Sequence, residues 1–119
     1  PTFIEGKPAW SPDGRWIYYS RRPMPPSTDD DIMRIRSDGS GTPQFVINSA
    51  TPEYQPAISP DGTKLCYTRG AFGGTAADVY VAPISGSSQV ASVKLIHAPS
   101  TTTSLCAKLM NFRMPYTIV

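Results

Sequence analysis

The chain of 119 residues contains one pattern twice, and this repeat limits the folds open to it more than any other feature. The tetrapeptide Ser-Pro-Asp-Gly at residues 11–14 returns at residues 59–62, a separation of 48. Other matches share this separation or differ from it by one residue: Pro8 and Pro56, Tyr19 and Tyr67, Arg21 and Arg69, Asp31 and Asp78, Gly39 and Gly86. A shift of one residue is easily accommodated in a surface loop. The spacing therefore predicts two copies of one structural unit.

Each copy predicts four strands and a tight turn. In the turn, proline at the second position presets φ, aspartate bonds to nearby backbone, and glycine accepts a left-handed conformation. The predicted structural turn residues are Pro12, Asp13, Gly14, Pro60, Asp61 and Gly62. A short first strand ends at Trp10 or Ile58, and the later strands are predicted at 15–20, 31–35 and 44–47, then at 64–68, 78–82 and 93–96.

The composition predicts an all-β fold. Thirteen prolines and nine glycines indicate many turns and disfavour long helices. The second strand carries apolar bulk at successive positions from Trp16 to Tyr19, which is typical of a sheet covered on both faces. Four-stranded antiparallel sheets of about 45 residues, each covered by its neighbours, are the blades of a β-propeller.

The same segments resemble a known repeat family. "PAWSPDGRWIYYS" with "DIMRIRSDGSG", and "PAISPDGTKLCYT" with "DVYVAPISG", are similar to the blade repeat of TolB-type (WD40-like) β-propellers, a repeat style shared by prolyl-oligopeptidase-type peptidases. The resemblance implies one partial propeller domain over 1–119, with blade one at about 8–47, blade two at about 56–96 and an atypical tail at 98–119. It also implies a protein-binding role and a periplasmic or secreted location.

Two copies are too few for a closed ring, which needs about four to eight blades. The chain is then a piece of a longer propeller, or several copies assemble, or the tail caps one open face. Residues 98–119 lack the Ser-Pro-Asp-Gly turn and carry several large apolar residues: Leu105, Leu109, Met110, Phe112 and Met114. Three alternatives are open for this tail: a degenerate part-blade, a capping or exchanged arm, and a run outside the native fold if the chain is truncated.

The sequence contains no motif that indicates catalysis, a metal site or a cofactor. A single histidine, His97, has no companions at ligand spacing, and no Gly-x-Ser-x-Gly elbow occurs. The consecutive acids at 29–31 lack the spacing and glycine of a calcium loop, so a solvated loop is predicted there. Asp13 and Asp61 recur at one repeat position, which marks them as turn residues and not as a catalytic pair. The prediction is a protein that is not an enzyme.

Charge and cysteine content restrict the partners and the compartment. A net charge of +2 is too small to indicate nucleic-acid binding, and no apolar run approaches the length of a membrane span. The two cysteines, Cys66 and Cys106, leave open a single disulfide or two free thiols. The apolar strand pattern around Cys66 favours free thiols.

The longer loops, at 21–30 and 69–77, lie at the end of the sheets opposite the tight turns. Long loops on a rigid base are a common place for binding, and solvated connectors are the alternative. The candidate partner contacts are Arg21, Arg22, Met24, Arg69 and Phe72. The expected function is a non-enzymatic protein-interaction module that completes its ring by self-association. The alternative is a fragment of the propeller domain of a larger hydrolase, of prolyl-oligopeptidase type, or of a lyase.

Overall fold

The computed structural model shows two four-stranded antiparallel sheets that follow one another along the chain. It describes residues 2–71 and 77–84, and the main chain of 93–97. Blade 1 contains β1 (Phe3–Trp10), β2 (Trp16–Pro23), β3 (Asp31–Arg36) and β4 (Gln44–Ile47), and blade 2 contains β5 (Glu53–Ile58), β6 (Lys64–Arg69), β7 (Asp78–Pro83) and β8 (Val93–His97). In each sheet the spatial order follows the chain order, which confirms the all-β prediction of two four-stranded blades.

Several predictions fall on residues outside the described ranges. These are the contact residue Phe72, the turn at 85–88 and the whole tail at 98–119. No helix occurs in the described ranges, so none of these residues forms a helical membrane span.

Both Ser-Pro-Asp-Gly segments form the same hydrogen-bonded turn. In blade 2, Asp61 Oδ1 accepts hydrogen bonds from Ser59 Oγ at 2.6 Å and from the Thr63 amide at 3.0 Å. Gly62 has a φ of 75°, a value that costs glycine little because it has no Cβ. In blade 1, Ser11 Oγ donates to Asp13 Oδ1 at the same distance of 2.6 Å. Local chemistry alone therefore fixes both reversals.

The first strand of each blade carries a bulge at the same repeat position. The register shifts between Gly6 and Ala9 in β1, and between Tyr54 and Ala57 in β5. Lys7 and Gln55, 48 residues apart, are the two described non-glycine residues with positive φ, at 56° and 58°. Each precedes a proline, a residue that strands tolerate at bulges because it has no amide hydrogen to donate.

Replacing Lys7 by glycine should stabilise the protein. A left-handed backbone destabilises the fold by roughly 1–2 kcal/mol at a non-glycine residue. Glycine removes this strain, but its greater entropy in the unfolded chain offsets roughly half of the gain in stability. We expect the free energy of unfolding of Lys7→Gly to rise by about 0.5–1 kcal/mol in urea denaturation. Lys7→Ala, which removes the same side chain but keeps the strained backbone, is the control and should change little. Equal effects of the two substitutions would contradict the argument.

The first and second strands are longer than the sequence predicts. Phe3, Ile4 and Glu5 pair with Pro23, Arg22 and Arg21, so β1 spans eight residues and β2 continues to Pro23. Arg21 and Arg22 therefore lie in a strand and not in a loop, and Arg69 is the last residue of β6. The prediction was wrong on this point because pairing with a distant strand extended β2.

The two blades pack face to face. Paired residues of neighbouring strands lie on the same face of a sheet. The face of blade 2 that contacts blade 1, the Tyr67 face, comprises Leu65, Tyr67, Arg69, Tyr80 and Ala82. The surface of blade 1 that it contacts, the Tyr18 face, comprises Trp16, Tyr18, Ser20 and Ile32. One buried cluster joins Leu65, Tyr67 and Ala82 to the blade 1 residues Tyr18, Ile32, Val46 and Ile47. Hydrogen bonds from the Glu53 amide to the Asp30 carbonyl oxygen, and from the Gln55 amide to Ser20 Oγ, connect the blades at 2.6 and 3.1 Å.

Candidate functional site

Arg21, a predicted partner contact, is engaged inside blade 1. Its Nε and Nη2 donate to Glu5 Oε1 at 2.8 and 2.6 Å, and Nη2 also donates to the Tyr19 hydroxyl at 3.0 Å. The guanidinium carbon lies 4.8 Å from the centre of the Phe3 ring, within cation–π range. Most of the polar capacity of this arginine is thus used within its own sheet.

Arg69 makes the equivalent contacts in blade 2. Its Nε donates to Glu53 Oε1 at 3.1 Å, and Nη2 donates to the Tyr67 hydroxyl at 3.2 Å. The guanidinium carbon lies 4.6 Å from the centre of the Tyr80 ring. Glu5 and Glu53 are also 48 residues apart, so each blade contains one Glu–Arg–Tyr cluster. Sequence reasoning missed the glutamates, although the repeat separation alone identifies them.

The two clusters differ in their solvent exposure. The Glu53 side chain is fully buried and that of Arg69 is 27% exposed, whereas Glu5 is 50% exposed and Arg21 is 20% exposed. Burial raises the pKa of Glu53, and the opposing contributions of its hydrogen bond from Ser49 and of the charge on Arg69 do not cancel this rise. The difference lies in the glutamates, because blade 1 covers Glu53 and leaves Glu5 open, whereas the two arginines are exposed to a similar extent.

The remaining predicted contacts occupy the end of blade 1 at which the longer loop begins. Met24 follows β2 directly and is 46% exposed. Arg22 and Asp30 line a small cavity of about 170 Å³, which lies between the bulge of β1 and Tyr54 of blade 2. Burial raises the pKa of Asp30 and the positive charge of Arg22 opposes the rise. Met24 is therefore the described contact candidate that is most open to a partner.

The acids at 29–31 are not a solvated loop, which corrects the prediction. Asp31 is half-buried, and burial, with added repulsion from Asp29, Glu53 and Asp30, raises its pKa to about 6. One carboxylate oxygen of each of Asp29, Asp31 and Glu53 is buried without a hydrogen-bond partner. No local sequence pattern indicates this group, because Glu53 joins it from the neighbouring blade. The described residues nevertheless contain no group of three ligands positioned for a metal ion.

This acidic group should make stability depend on pH. The pKa of Asp31 is about 6 in the folded chain and 3.8 in the unfolded one, so between these values the folded state binds more protons. We expect the free energy of unfolding to fall by about 1–2 kcal/mol from pH 4 to pH 6.5, after allowing for partial solvent screening. The raised pKa values of Asp30 and Glu53 act in the same direction.

Urea denaturation at several pH values measures this dependence. Asp31→Asn should flatten the slope between pH 4 and 6.5, because the amide does not ionise. Asp38→Asn is the control, since Asp38 lies in an exposed turn where hydrogen bonds from Ser40 lower its pKa. A slope that Asp31→Asn leaves unchanged would contradict the assignment.

The aspartates of the tight turns have the electrostatics of structural residues. Hydrogen bonds from Ser11 and from the Arg15 amide lower the pKa of Asp13, and hydrogen bonds from Ser59 and Thr63 lower that of Asp61. A general acid that works near neutral pH needs a raised pKa. These two carboxylates are thus held ionised, as acceptors for the chain reversal.

A second face of blade 1 points away from blade 2. This Tyr19 face comprises Ile17, Tyr19, Arg21, Met33 and Ile35, and it contains a depression of about 590 Å³. Tyr19 and Met33 at its centre are buried, and Ile17 and Ile35 are half-buried. Phe3 and Phe45, on the opposite edge strands β1 and β4, are 44% and 45% exposed.

Comparison with known proteins places these blades among propeller structures. No family model matches the chain. The uncharacterized protein Atu1656 of Agrobacterium fabrum is 36% identical over 69 residues, which span 56% of this chain and 22% of that protein. A TolB-like protein from Agrobacterium tumefaciens superposes with a TM-score of 0.61 and 26% identity, over 82% of this chain and 36% of that one.

A puromycin-hydrolyzing peptidase from Mycobacterium tuberculosis has a TM-score of 0.67 and 19% identity, over 83% of this chain and 18% of that one. The chain thus spans about a fifth to just over a third of the length of these proteins. The similarity of the superposed sheets, together with the blade packing described above, identifies a β-propeller-like fold.

Proposed function

We propose that this chain is a non-enzymatic protein-interaction part of a β-propeller. One observation carries the proposal: the Tyr19 face of blade 1 resembles the surface through which blade 2 binds blade 1. Tyr19 and Arg21 are identical to Tyr67 and Arg69, and Ile17 stands at the position of Leu65. A surface of this kind is complementary to protein. The Glu–Arg–Tyr clusters support the proposal, because they hold both arginines in fixed positions at the blade faces.

The exposed end of blade 1 is the proposed contact for a partner other than a blade. Met24 is exposed and Arg22 lies beside it at the end of β2. Once a partner has been identified by cross-linking in source cells, Arg22→Ala combined with Met24→Ala should weaken its binding about tenfold. Ser40→Ala, in an exposed turn at the opposite end of the sheet, is the control. Unchanged affinity of the double variant would contradict this contact.

Completion of the ring by other copies is the first route to test. Self-association of three chains would supply about six blades, within the usual range for a closed ring. Light scattering coupled to size exclusion measures the mass directly. A stable species of about three times 12.9 kDa would support self-association. A mass equal to one chain at every concentration would contradict it.

A segment of a larger hydrolase is the second candidate, and the superposition on the mycobacterial peptidase favours it. An antibody raised against residues 2–71 should then detect, in source cells, a polypeptide much longer than 119 residues. The immunoprecipitate should hydrolyse aminoacyl amides. A product of 119 residues without hydrolytic activity would contradict this candidate.

An oxidising compartment, periplasmic or extracellular, is the proposed location. Cys66 is disulfide-bonded, which corrects the prediction of a free thiol. Structural disulfides are typical of secreted and periplasmic proteins. Alkylation of the denatured natural protein without reductant should therefore leave Cys66 unmodified, and alkylation after reduction should modify it.

A further inference from the structure

We propose that three carboxylates at the junction of the two blades, those of Asp29, Asp31 and Glu53, bind the guanidinium group of an arginine side chain from a protein partner. The inference rests on the proposed function, because these junction carboxylates lie at the end of blade 1 where the partner contact of Met24 is proposed. Met24 and Asp31 stand at the two ends of the loop that joins β2 to β3. The inference adds the chemistry by which the partner is recognised.

The junction carboxylates come from both blades. Asp31 is the first residue of β3, Asp29 lies just before it, and Glu53 is the first residue of β5. The Glu53 amide donates to the carbonyl oxygen of Asp30 at 2.6 Å, which holds the start of β5 against the loop that leads into β3. The group therefore exists only where the two blades meet.

Each junction carboxylate has one oxygen that is shielded from water and accepts no hydrogen bond. These oxygens are Oδ1 of Asp29, Oδ1 of Asp31 and Oε2 of Glu53. Among the residues that the structure describes, no other buried side-chain oxygen or nitrogen lacks a partner. Buried polar atoms are nearly always paired, so three unpaired acceptors in one group indicate a place for a hydrogen-bond donor.

The Glu53 side chain forms the floor of the group. It is fully buried, and its Oε1 accepts hydrogen bonds from Ser49 and Arg69, whereas Oε2 has no donor. Glu53 lies close enough to Asp31 for its negative charge to raise the pKa of that residue. Asp29 and Asp31 are half-buried and form the solvent side of the group. A ligand that enters between these two aspartates therefore meets an acceptor already fixed by the neighbouring blade.

The charges at the junction do not balance. Two cations serve four acids there: Arg69 pairs with Glu53, and the charge of Arg22 opposes that of Asp30. The other two carboxylates form no ion pair with a cation of the described residues. A proton neutralises Asp31 only below its pKa of about 6, so a formal excess of two negative charges remains at neutral pH. The missing donor is therefore a cation.

The arrangement of the acceptors favours a guanidinium over a metal ion. Calcium and magnesium need several oxygen ligands at a short distance from one common centre. The described part of the chain contains no three acidic, histidine or cysteine ligands placed in this way. A guanidinium carries five N–H donors on a planar fork and is more weakly hydrated than an ammonium, so it can serve separated oxygens at a partly buried place. Arg69 already binds Glu53 by this chemistry.

A blocked tripeptide, acetyl-alanyl-arginyl-alanine amide, is the probe that tests the inference. Its binding to the 119-residue chain is measured at pH 7 from the carbon-13 NMR shifts of the side-chain carboxyl groups. We expect saturable shifts at the junction carboxylates, with an affinity about tenfold higher than that of the same peptide carrying citrulline, the uncharged isostere of arginine. The corresponding lysine peptide should bind more weakly than the arginine peptide.

Two variants localise the binding. Asp29→Asn combined with Asp31→Asn should abolish the saturable shift at Glu53, because the excess charge is gone. Asp38→Asn, in an exposed turn, is the matched control and should bind the arginine peptide as the unaltered chain does. The dispersion of the amide signals shows whether the double variant is folded. If it is not, Asp31→Asn alone takes its place and should lower the affinity.

Absence of saturable shifts at the junction carboxylates would overturn the inference. Equal binding of the arginine and citrulline peptides, or of the arginine and lysine peptides, would also overturn it, as would unchanged binding in the folded variant. Larger shifts with calcium or magnesium chloride than with the peptide would identify a metal ion in place of an arginine.

The proposed function is tested separately. Shifts that appear without peptide as the concentration of the chain rises would identify a second copy as the source of the cation, which overturns the inference but supports self-association. Binding of an identified partner to the Arg22 and Met24 double variant does not involve the peptide. Peptide binding at the junction carboxylates together with unchanged partner affinity in that variant would therefore contradict the proposed contact and support the inference.

Discussion

Arg69→Met should lower the free energy of unfolding by about 3 kcal/mol, whereas Arg21→Met, at the equivalent repeat position, should lower it by less than about 1 kcal/mol. Methionine keeps the aliphatic stem and removes the charge. In blade 2 the loss leaves Glu53 fully buried without its cationic partner. In blade 1 it leaves Glu5 half-exposed, where water can solvate the carboxylate. The two variants thus remove the same contact from two different environments.

Urea denaturation of both variants at pH 7 measures the difference. A second comparison separates the charge from the packing: Glu53→Gln combined with Arg69→Met should recover a large part of the stability lost in Arg69→Met, because no buried charge remains. Equal losses in Arg69→Met and Arg21→Met would show that the cluster of blade 1 is as dry in solution as that of blade 2. Such a result would contradict the exposure seen for Glu5.

The sequence predicts the blades well because their determinants are local and occur twice. Asp13 and Asp61 bond to serines two residues away, so the turn depends on one short segment. The strand positions follow from the spacing between these turns, and the second copy removes the ambiguity of the first.

The errors concern partners that are distant in sequence. The length of β1 depends on pairing with Arg21 and Arg22, which no local pattern reveals. The acidic residues at 29–31 look solvated in isolation and become partly buried only where Glu53 of the next blade meets them. Cys66 sits in an apolar strand typical of a free thiol, and its disulfide is not a local property.

The candidate site was likewise predicted only in part, because its contacts join residues that are distant in sequence. The repeat identifies Arg21 and Arg69 as equivalent residues, but their assignment to loops hides their glutamate and tyrosine partners. The match of Glu5 with Glu53 is present in the sequence, outside the segment that carries the family resemblance. The different burial of these two glutamates has no counterpart in the sequence, since it depends on which blade has a neighbour.

Leu65→Ala should lower the free energy of unfolding by about 3 kcal/mol, and Ile17→Ala by about 1 kcal/mol. These residues again occupy one repeat position. Leu65 is fully buried in the cluster that joins the blades, so its truncation leaves a cavity lined by both sheets. Ile17 lies on the Tyr19 face beside the depression and is only half-buried, so water can fill the space that it leaves.

Urea denaturation reports both losses, and an unchanged m-value confirms that each variant unfolds from an equally compact folded state. Equal losses from Leu65→Ala and Ile17→Ala would contradict the difference in burial between these two repeat positions.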